Sequence, residues 1–250
     1  MTPRIVITGG GGFIGAMLAR RLLSEPVTLG GRRLGDVGEV VLVDLVAPPT
    51  DLKSHPRVRA VVGSLEEALP DIGTFDAVFH LAGVVSGAAE KDFDLGMRTN
   101  LDGTRALLEH ARAQRVPPIV VFSSSLAVFG SDPAIGPIGT VEDDTLPRPQ
   151  SSYGVQKFIG EQLVADYTRK QFVRGRSVRL MTVAVRPGRP NEAASSFMSG
   201  IIREPLAGSR AQCPVPRDMP IALSSPRRTL DGLLCAACLL YTSPSPRDRS

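Results

Sequence analysis

A tyrosine and a lysine stand four residues apart in the segment Tyr153-Gly154-Val155-Gln156-Lys157. In a helix this spacing places the two side chains on one face, so the ammonium can lie beside the phenol. Because free tyrosine has a pKa of about 10, it needs a nearby positive charge to act as a base at neutral pH. The pattern predicts that Tyr153 transfers a proton and that Lys157 supplies the charge. An ordinary amphipathic helix carries the same spacing by chance, so the pair needs support from other residues.

Three consecutive serines, Ser123 to Ser125, follow a β-branched run that predicts a strand. Polar residues at the carboxyl end of a buried parallel strand are where ligands meet such a sheet. A hydroxyl there could steady a substrate oxygen while Tyr153 takes its proton. The serine run therefore strengthens the proton-transfer interpretation.

A run of glycines lies between a predicted strand and a predicted helix, in Thr8-Gly9-Gly10-Gly11-Gly12-Phe13-Ile14-Gly15. Glycines at this spacing permit a tight turn, a close backbone approach to a diphosphate, and close packing of the helix. The amides at a helix N-terminus favour negative charge. The segment predicts a dinucleotide site, and the alternative is a flexible glycine loop. The predicted contacts are Gly9, Gly12, Phe13, Ile14 and Gly15.

Asp44 ends the second predicted strand, where its carboxylate could accept hydrogen bonds from both adenosine ribose hydroxyls. The same carboxylate would repel a 2′-phosphate, which favours NAD over NADP. The alternative is that Asp44 is a solvated aspartate at a strand end with no role in cofactor binding. Arg32 and Arg33 precede this strand and are poorly placed to take over the position of Asp44 at the cofactor. Ser64 and Leu65 follow the third predicted strand. An acidic residue that contacts the adenine is common at the position of Ser64, and we expect the serine hydroxyl to make a weaker hydrogen bond there.

Short β-branched runs alternate with helical patterns, which predicts an α/β fold with a doubly wound parallel sheet of the Rossmann type. The predicted strands are Arg4–Thr8, Glu39–Asp44, Val58–Val62, Ala77–Leu81, Ile119–Ser123 and Val178–Val185. The clearest predicted helices are Gly12–Leu23, Phe93–Gln114 and Tyr153–Lys170. From Asn191 onward glycine, proline and serine break the periodicity. We therefore expect a nucleotide-binding domain over residues 1–190 and a truncated, smaller substrate-binding region over 191–237.

The composition carries no nucleic-acid or membrane signature. The formal net charge is +4, and the basic residues are scattered rather than gathered into a patch. No apolar run approaches the roughly 20 residues of a membrane span, and a strand begins too early for a signal peptide. Three cysteines late in the chain, with no histidine cluster nearby, predict neither a disulfide framework nor a metal site. We expect a cytoplasmic protein.

The glycine turn, Asp44, the serine run and the tyrosine–lysine pair resemble, in order and spacing, the short-chain dehydrogenase/reductase superfamily. Two further segments, residues 79–83 and 99–104, are similar to its fourth-strand motif and the helix that follows. Ser123 to Gly130 resembles the extended branch of NAD-dependent epimerases and dehydratases, in which the third serine, here Ser125, is the active one. The resemblance implies NAD as cofactor and Lys157 as a ligand of the nicotinamide ribose. The further cofactor contacts that it implies are Leu81, Ala82, Gly83, Asn100, Tyr153 and Pro187.

A closer resemblance is to the D-erythronate dehydrogenases, and it covers nearly all of the chain before Cys238. It is carried by His80 to Ser86, Phe93 to Gly96, Arg186 to Phe197, Ile201 to Gly208 and Cys213 to Pro216. It implies NAD-dependent oxidation of the C2 hydroxyl of a four-carbon sugar acid to the 2-keto acid. An anionic substrate needs a cationic clamp, and arginine's planar fork matches a carboxylate. The candidate substrate contacts are Arg186, Arg189 and Arg203, with Ser86, Ser125, Asn191, Ser195 and Ser196 for hydroxyls.

Two alternative functions stay open. A sugar-nucleotide epimerase or dehydratase would retain its NAD through the cycle and would need a larger C-terminal region. The other alternative is a dinucleotide-binding protein that catalyses no reaction, although the complete set of Ser125, Tyr153 and Lys157 argues against it. A homodimer through the predicted helices Phe93–Gln114 and Tyr153–Lys170 is a further expectation.

The last residues need a different explanation. Cys238 to Asp248 resembles a translated sequencing adapter, and the alternative is a genuine tail rich in serine and proline. We expect residues 238–250 to be non-native and to lack function. Apolar side chains at Ile201, Ile202, Leu206 and Leu233 to Leu234 are then expected to be partly exposed.

Overall fold

The computed structural model describes residues 2–188 and 193–239. The strands in these ranges are β1 (Arg4–Thr8), β2 (Val27–Leu29), β3 (Arg32–Gly35), β4 (Glu39–Asp44), β5 (Val58–Val62), β6 (Ala77–His80), β7 (Ile119–Ser125), β8 (Arg174–Leu180), β9 (Thr182–Val183) and β10 (Leu223–Ser224). Six of them form one sheet in the order β5-β4-β1-β6-β7-β8, and every neighbouring pair is parallel. The predicted α/β fold with a doubly wound parallel sheet is confirmed.

Helices cover both faces of this sheet. They are α1 (Phe13–Ser24), α2 (Thr50–Lys53), α3 (Leu65–Ile72), α4 (Ser86–Lys91), α5 (Phe93–Gly96), α6 (Gly103–Arg112), α7 (Ser152–Arg169), α8 (Phe197–Leu206) and α9 (Pro226–Cys238). Successive side chains of a strand point to opposite faces. Ile5 and Ile7 of β1 therefore pack with α1 and α9, whereas Val6 packs with α3, α6 and α7.

The predicted helix Phe93–Gln114 is interrupted. The chain forms α5, then a π-helix over Met97–Asp102, and then α6. Single π turns are rare and often lie at functional sites. Here the π-helix carries Asn100, which is 2% exposed. Hydrophobic periodicity does not reveal such a turn, because the residues on either side keep a helical pattern.

The last strand of the sheet also differs from the prediction Val178–Val185. β8 begins at Arg174 and ends at Leu180, and its last residue is paired with Ser125 of β7. Its first half carries arginine side chains, which do not resemble a buried strand. Thr182–Val183 belongs to a separate two-stranded sheet with Leu223–Ser224.

Among the elements that the sequence analysis did not predict are the antiparallel hairpin of β2 and β3 and the helix α9. The amides of Gly30 and Gly31 in the hairpin donate hydrogen bonds to the carbonyls of Ala237 and Cys238. These bonds satisfy carbonyls at the end of α9 that have no partner within the helix. The hairpin and α9 therefore stabilise each other.

Helix α9 belongs to the nucleotide-binding core rather than to the substrate region that was expected over residues 191–237. Leu233 is completely buried, and it packs in the same cluster as Ile5. The expectation that Leu233 is exposed was therefore wrong, whereas Ile201, Ile202 and Leu206 of α8 are exposed as expected.

The contact between α1 and the glycine turn predicts the effect of Gly15→Ala. A Cβ atom on Gly15 would lie only 2.1 Å from the carbonyl oxygen of Gly9, so the helix would have to move. We expect a loss of about 1–3 kcal/mol in the free energy of unfolding, measured by urea denaturation. Gly232→Ala in α9 is the control, because a Cβ there would meet nothing within 4 Å. It should leave stability unchanged or raise it by up to about 1 kcal/mol. Equal stability of the two variants would contradict the close approach.

Candidate active site

A cleft of about 730 Å³ opens where β1, β4, β5 and β6 end. This is the edge at which ligands bind in open parallel sheets. Most of the predicted cofactor contacts line it, namely Gly9, Gly12, Phe13, Ile14, Gly15, Asp44, Ser64, Leu65, Leu81, Ala82, Gly83 and Pro187. Asn100, Tyr153 and Lys157 are not part of its lining.

The glycine turn fits the diphosphate of a dinucleotide. Gly9 has a φ of +73°, and a Cβ on it would lie 2.9 Å from the amide nitrogen of Ala82. Gly12 is the N-cap of α1 and has no side chain that could cap the first turn. The first amides of α1 therefore point into the cleft without intrahelical partners, as an anion site requires.

Asp44 lies at the end of β4 beside this turn. Its two carboxylate oxygens accept hydrogen bonds from the amides of Gly11 at 3.0 Å and Val46 at 3.2 Å. A carboxylate has about four acceptor positions, so two remain for ribose hydroxyls. Arg32 and Arg33 lie in β3 of the hairpin, and neither lines the cleft.

Ser64 lines the cleft, but its hydroxyl is used to cap α3. It donates to a carboxylate oxygen of Glu67 at 2.8 Å and accepts from the Glu67 amide at 3.3 Å. The hydrogen bonds from Ser64 lower the pKa of Glu67. Glu66, which the sequence analysis did not single out, also lines this end of the cleft.

The three serines at the end of β7 have different partners. Ser123 donates to the carbonyl of His80 at 2.8 Å, and Ser124 donates to Glu161. Ser125 accepts a hydrogen bond from the Ala127 amide at 3.1 Å, so its own proton stays available for donation. Ser125 lies near enough to the Tyr153 phenol for its hydroxyl to lower the pKa of Tyr153.

Burial raises the pKa of Tyr153, and the hydrogen bond with Ser125 acts in the opposite direction. Lys157 is 4% exposed, and burial lowers its pKa to about 8. Its ammonium lies 5.7 Å from the centre of the Tyr153 ring and 4.9 Å from that of Phe122. At neutral pH the lysine is therefore a buried cation beside the phenol.

Asn100 connects the cleft to the helix that carries Tyr153. Its carbonyl oxygen accepts from the Val84 amide at 2.8 Å, and its amide nitrogen donates to Gln156 at 2.8 Å. Val84 lines the cleft, and Gln156 lies between Tyr153 and Lys157 in α7. Asn100 thus supports the cofactor cleft from behind, without lining it.

His80 is a structural residue at the end of β6. Thr104 donates to the Asn100 carbonyl at 2.6 Å, so its hydroxyl oxygen is left to accept from Nε2 of His80 at 2.9 Å. Nδ1 of His80 then accepts from the Thr8 hydroxyl at 2.6 Å. Burial, and next the charge of Lys157, lower the pKa of His80 to about 3. The histidine is therefore neutral and hydrogen-bonded at both ring nitrogens.

A second buried network, which the sequence analysis missed, supports the serine run. Glu161 of α7 accepts from Ser124 and binds Arg179 of β8 through both of its oxygens, at 2.9 and 2.8 Å. The guanidinium of Arg179 stacks 4.8 Å from the ring centre of Phe129. No short motif signals this network, because its residues come from three separate elements.

The predicted substrate contacts are not all brought together. Arg186, Ser196 and Arg203 line the cleft, as does Ser199, which was not predicted. Ser86, Ser125 and Ser195 do not line it. Arg189 and Asn191 lie outside the described residues.

Cys235 and Cys238 stand at the spacing of a CxxC motif, which the cysteine argument from the sequence wrongly took to be absent. Burial raises the pKa of Cys238, the last residue of α9, which opposes a reactive thiolate. Cys238 and Leu239 were expected to begin a tail, but their carbonyls accept from Gly31 and Arg176. Residues 240–250 lie outside the described ranges.

Within residues 2–188 and 193–239, no group of three or more histidine, cysteine or acidic side chains is placed to hold a metal ion. No helix of the same ranges combines the length and the apolar character that crossing a membrane requires.

The chain is similar to a known protein family and to several named proteins. The model of the NAD dependent epimerase/dehydratase family matches residues 5–219. The chain is 51% identical, over 235 residues, to a D-erythronate dehydrogenase of Cupriavidus necator, covering 92% of this chain and 70% of the relative. It is 43% identical to a D-erythronate dehydrogenase of Haemophilus influenzae, covering 93% of this chain and 71% of the relative.

A solved structure is also similar along most of the chain. It is that of a nucleoside-diphosphate-sugar epimerase from Agrobacterium tumefaciens, with a TM-score of 0.82 and 40% sequence identity. The match covers 94% of this chain and 69% of the other.

The position of Asp44 predicts the cofactor preference. We expect the chain to bind NAD more tightly than NADP, and we expect Asp44→Ala to reduce that preference, because the carboxylate that faces the 2′-phosphate is removed. The measurement is the Kd of each cofactor by calorimetry. Asp71→Ala, on the exposed side of α3, is the control and should leave the ratio unchanged. Equal affinities in the unmodified chain would contradict the assignment.

The depressed pKa of Lys157 predicts a pH-dependent gain in stability for Lys157→Met. Below pH 8 the lysine is charged in both the folded and the unfolded chain, and its burial opposes folding. The free-energy cost of burying this charge disappears above about pH 10.5, where the lysine is neutral in both the folded and the unfolded chain. At pH 7 the variant without cofactor should be more stable by up to about 3 kcal/mol. Denaturation at pH 7 and pH 10 tests this, with Lys170→Met at the exposed end of α7 as the control. A gain that does not shrink at pH 10 would count against a buried cation.

Proposed function

We propose that this chain, which belongs to the NAD dependent epimerase/dehydratase family, oxidises the C2 hydroxyl of a four-carbon sugar acid to the 2-keto acid. NAD is the electron acceptor. The observation that carries the proposal is the meeting of Ser125, Tyr153 and Lys157 beside the dinucleotide cleft. Relatives named D-erythronate dehydrogenase, at 51% and 43% identity, support the choice of substrate class.

In the proposed mechanism Tyr153 accepts the proton of the substrate hydroxyl. Ser125 donates its hydrogen to the substrate oxygen, since the Ala127 amide already occupies one of its acceptor positions. This donation stabilises the negative charge that develops on that oxygen. Lys157 holds a positive charge 5.7 Å from the phenol ring.

Burial alone would keep Tyr153 protonated, because it raises the pKa of the phenol. Lys157 supplies one compensating charge on the protein side. Oxidised NAD, held by the cleft, would supply a second positive charge and the capacity to take a hydride, that is a proton with two electrons, from the C2 carbon. The phenolate form of Tyr153 is then favoured only when NAD is bound, so removal of the substrate proton depends on the presence of NAD.

The acid group of the substrate needs a cation close to Tyr153. In a 2-hydroxy acid the carboxylate is bonded directly to the reacting carbon, so its clamp must lie near the phenol. We propose Arg186, Arg189 and Arg203 as the candidate cations for this carboxylate. The proposed partners of the remaining hydroxyls are Ser86, Asn191, Ser195 and Ser196.

A second candidate function is epimerisation of a nucleotide sugar, because a nucleoside-diphosphate-sugar epimerase has a similar fold at 40% identity. The two functions differ in one product. An epimerase returns its NAD to the oxidised state, whereas a dehydrogenase accumulates NADH.

The proposed homodimer through α5, α6 and α7 stays a prediction. Phe93, Leu95 and Val155 expose apolar surface on these helices. Exposed apolar patches are typical of protein interfaces.

The experiment that tests the function is a screen for NADH formation with the chain, NAD and a panel of aldonic acids, followed by absorbance. We expect turnover with a four-carbon acid. Tyr153→Phe should abolish it while leaving NAD binding intact, because the substitution removes the phenolic oxygen but little volume. Lys157→Met should impair both turnover and NAD binding.

The control variant is Tyr167→Phe, on the same helix, where the phenol donates to Glu109 and lies away from the cleft. It should retain turnover. Activity of Tyr153→Phe close to that of the unmodified chain would exclude Tyr153 as the base. Conversion of a nucleotide sugar without net NADH would identify the epimerase function instead.

A further inference from the structure

A phenylalanine ring lies beside the active-site lysine. The ammonium of Lys157 lies over the face of Phe122, 4.9 Å from the ring centre, and 5.7 Å from the ring centre of Tyr153. Phe122 is completely buried in β7, directly before the serine run. The proposed mechanism uses the charge of Lys157 and the phenol of Tyr153 but gives this ring no role.

The position of the ring is fixed by the elements around it. A Cβ atom on Gly160 of α7 would lie 2.6 Å from Cζ of Phe122, so the glycine leaves room for the ring. The ring of His80, at the end of β6, has its centre 5.7 Å from that of Phe122. Val120 and Val164 belong to the same core cluster as Phe122. Because protein interiors are close-packed, the ring cannot turn away from the ammonium without moving these neighbours.

In the described part of the chain, no carboxylate pairs with this ammonium. His80 of β6 is neutral, and Asn100 of the π-helix is uncharged. Glu161 lies one turn beyond Lys157 in α7, but Arg179 binds both of its carboxylate oxygens, at 2.9 and 2.8 Å. Burial therefore opposes the charged form of Lys157 and lowers its pKa to about 8.

The aromatic face supplies a compensating attraction. It carries partial negative charge, and it attracts a cation within about 6 Å of the ring centre, more strongly when the cation is desolvated. Phe122 acts at the shorter of the two distances and has no ionisable group. Burial raises the pKa of Tyr153, so at neutral pH its phenol is protonated and adds no negative charge. Phe122 therefore favours the charged form of Lys157 at every pH.

We infer that Phe122 is a positioning residue, whose ring face holds the charged ammonium of Lys157 beside Tyr153. The inference deepens the proposed function and rests on it for its catalytic consequence. In that function the charge on Lys157 favours the phenolate form of Tyr153. Loss of the ring should leave less Lys157 charged at neutral pH. Proton transfer should then slow, although every residue proposed to touch the substrate stays in place.

The test is an NMR titration of the chain with isotope-labelled lysine side chains. The sequence contains four lysines, and the signal of Lys157 is the one that is lost in Lys157→Met. In the unmodified chain its titration midpoint should lie at about pH 8. Phe122→Leu keeps an apolar side chain but removes the ring, so the charged form loses stabilisation. The midpoint should fall by about one pH unit, which is about a tenfold change in the ratio of charged to neutral lysine.

Two further proteins separate attraction to the ring from packing. A fluorinated phenylalanine placed at position 122 keeps the ring and nearly its volume, while fluorine withdraws electrons from the ring face. The midpoint should therefore fall further as fluorine atoms are added. Phe75→Leu is the matched control, because Phe75 is a buried phenylalanine of the same core cluster and precedes β6, at the opposite end of that strand from His80. It should leave the midpoint unchanged.

An unchanged midpoint in both proteins altered at position 122 would overturn the inference. So would a fall in Phe122→Leu that the fluorinated rings do not reproduce, or an equal fall in Phe75→Leu, since either result would assign the effect to packing. If Phe122→Leu does not fold, the fluorinated series decides alone.

The pH profile of NADH formation tests the catalytic consequence. Activity that needs charged Lys157 is lost as the pH rises through the pKa of that lysine, so the alkaline limb should move to lower pH in Phe122→Leu. If the titration midpoints behave as expected but the unmodified chain forms no NADH with any sugar acid, the proposed function fails and the inference about Phe122 stands.

Discussion

The arrangement of the site depends on one buried chain of hydrogen bonds, which runs from Thr8 through His80 and Thr104 to Asn100, and from there to Gln156. A buried polar group without a partner costs free energy, so each member fixes the next. The chain starts beside the glycine turn and ends inside the helix of Tyr153 and Lys157. The cleft and the pair of Tyr153 and Lys157 are therefore held in one relative position.

Burial has three different consequences along this chain. It keeps His80 neutral, so the histidine can accept a hydrogen bond from Thr8. It lowers the pKa of Lys157 to about 8, which leaves the lysine charged at neutral pH but close to titration. It also raises the pKa of Tyr153. A phenol in this environment needs positive charge from both the protein and the cofactor before it can act as a base.

The cleft combines acceptors and donors in an order that suits a dinucleotide. Asp44 presents a carboxylate to the cleft, and α1 begins beside it. Arg186 and Arg203 add cations to the lining of the same cleft.

Local patterns in the sequence were sufficient for the fold class, and for placing the glycine turn and Asp44 at strand ends and Tyr153 and Lys157 in one helix, because each depends on residues close together in the chain. The resemblance to the extended dehydrogenases is confirmed by the family match and the named relatives. The π-helix at Asn100, the burial of α9 and the arginines' place in the cleft depend on contacts between distant segments. Only the tertiary structure could decide these, because a residue's burial and its partners are properties of the packed elements and not of its neighbours in sequence.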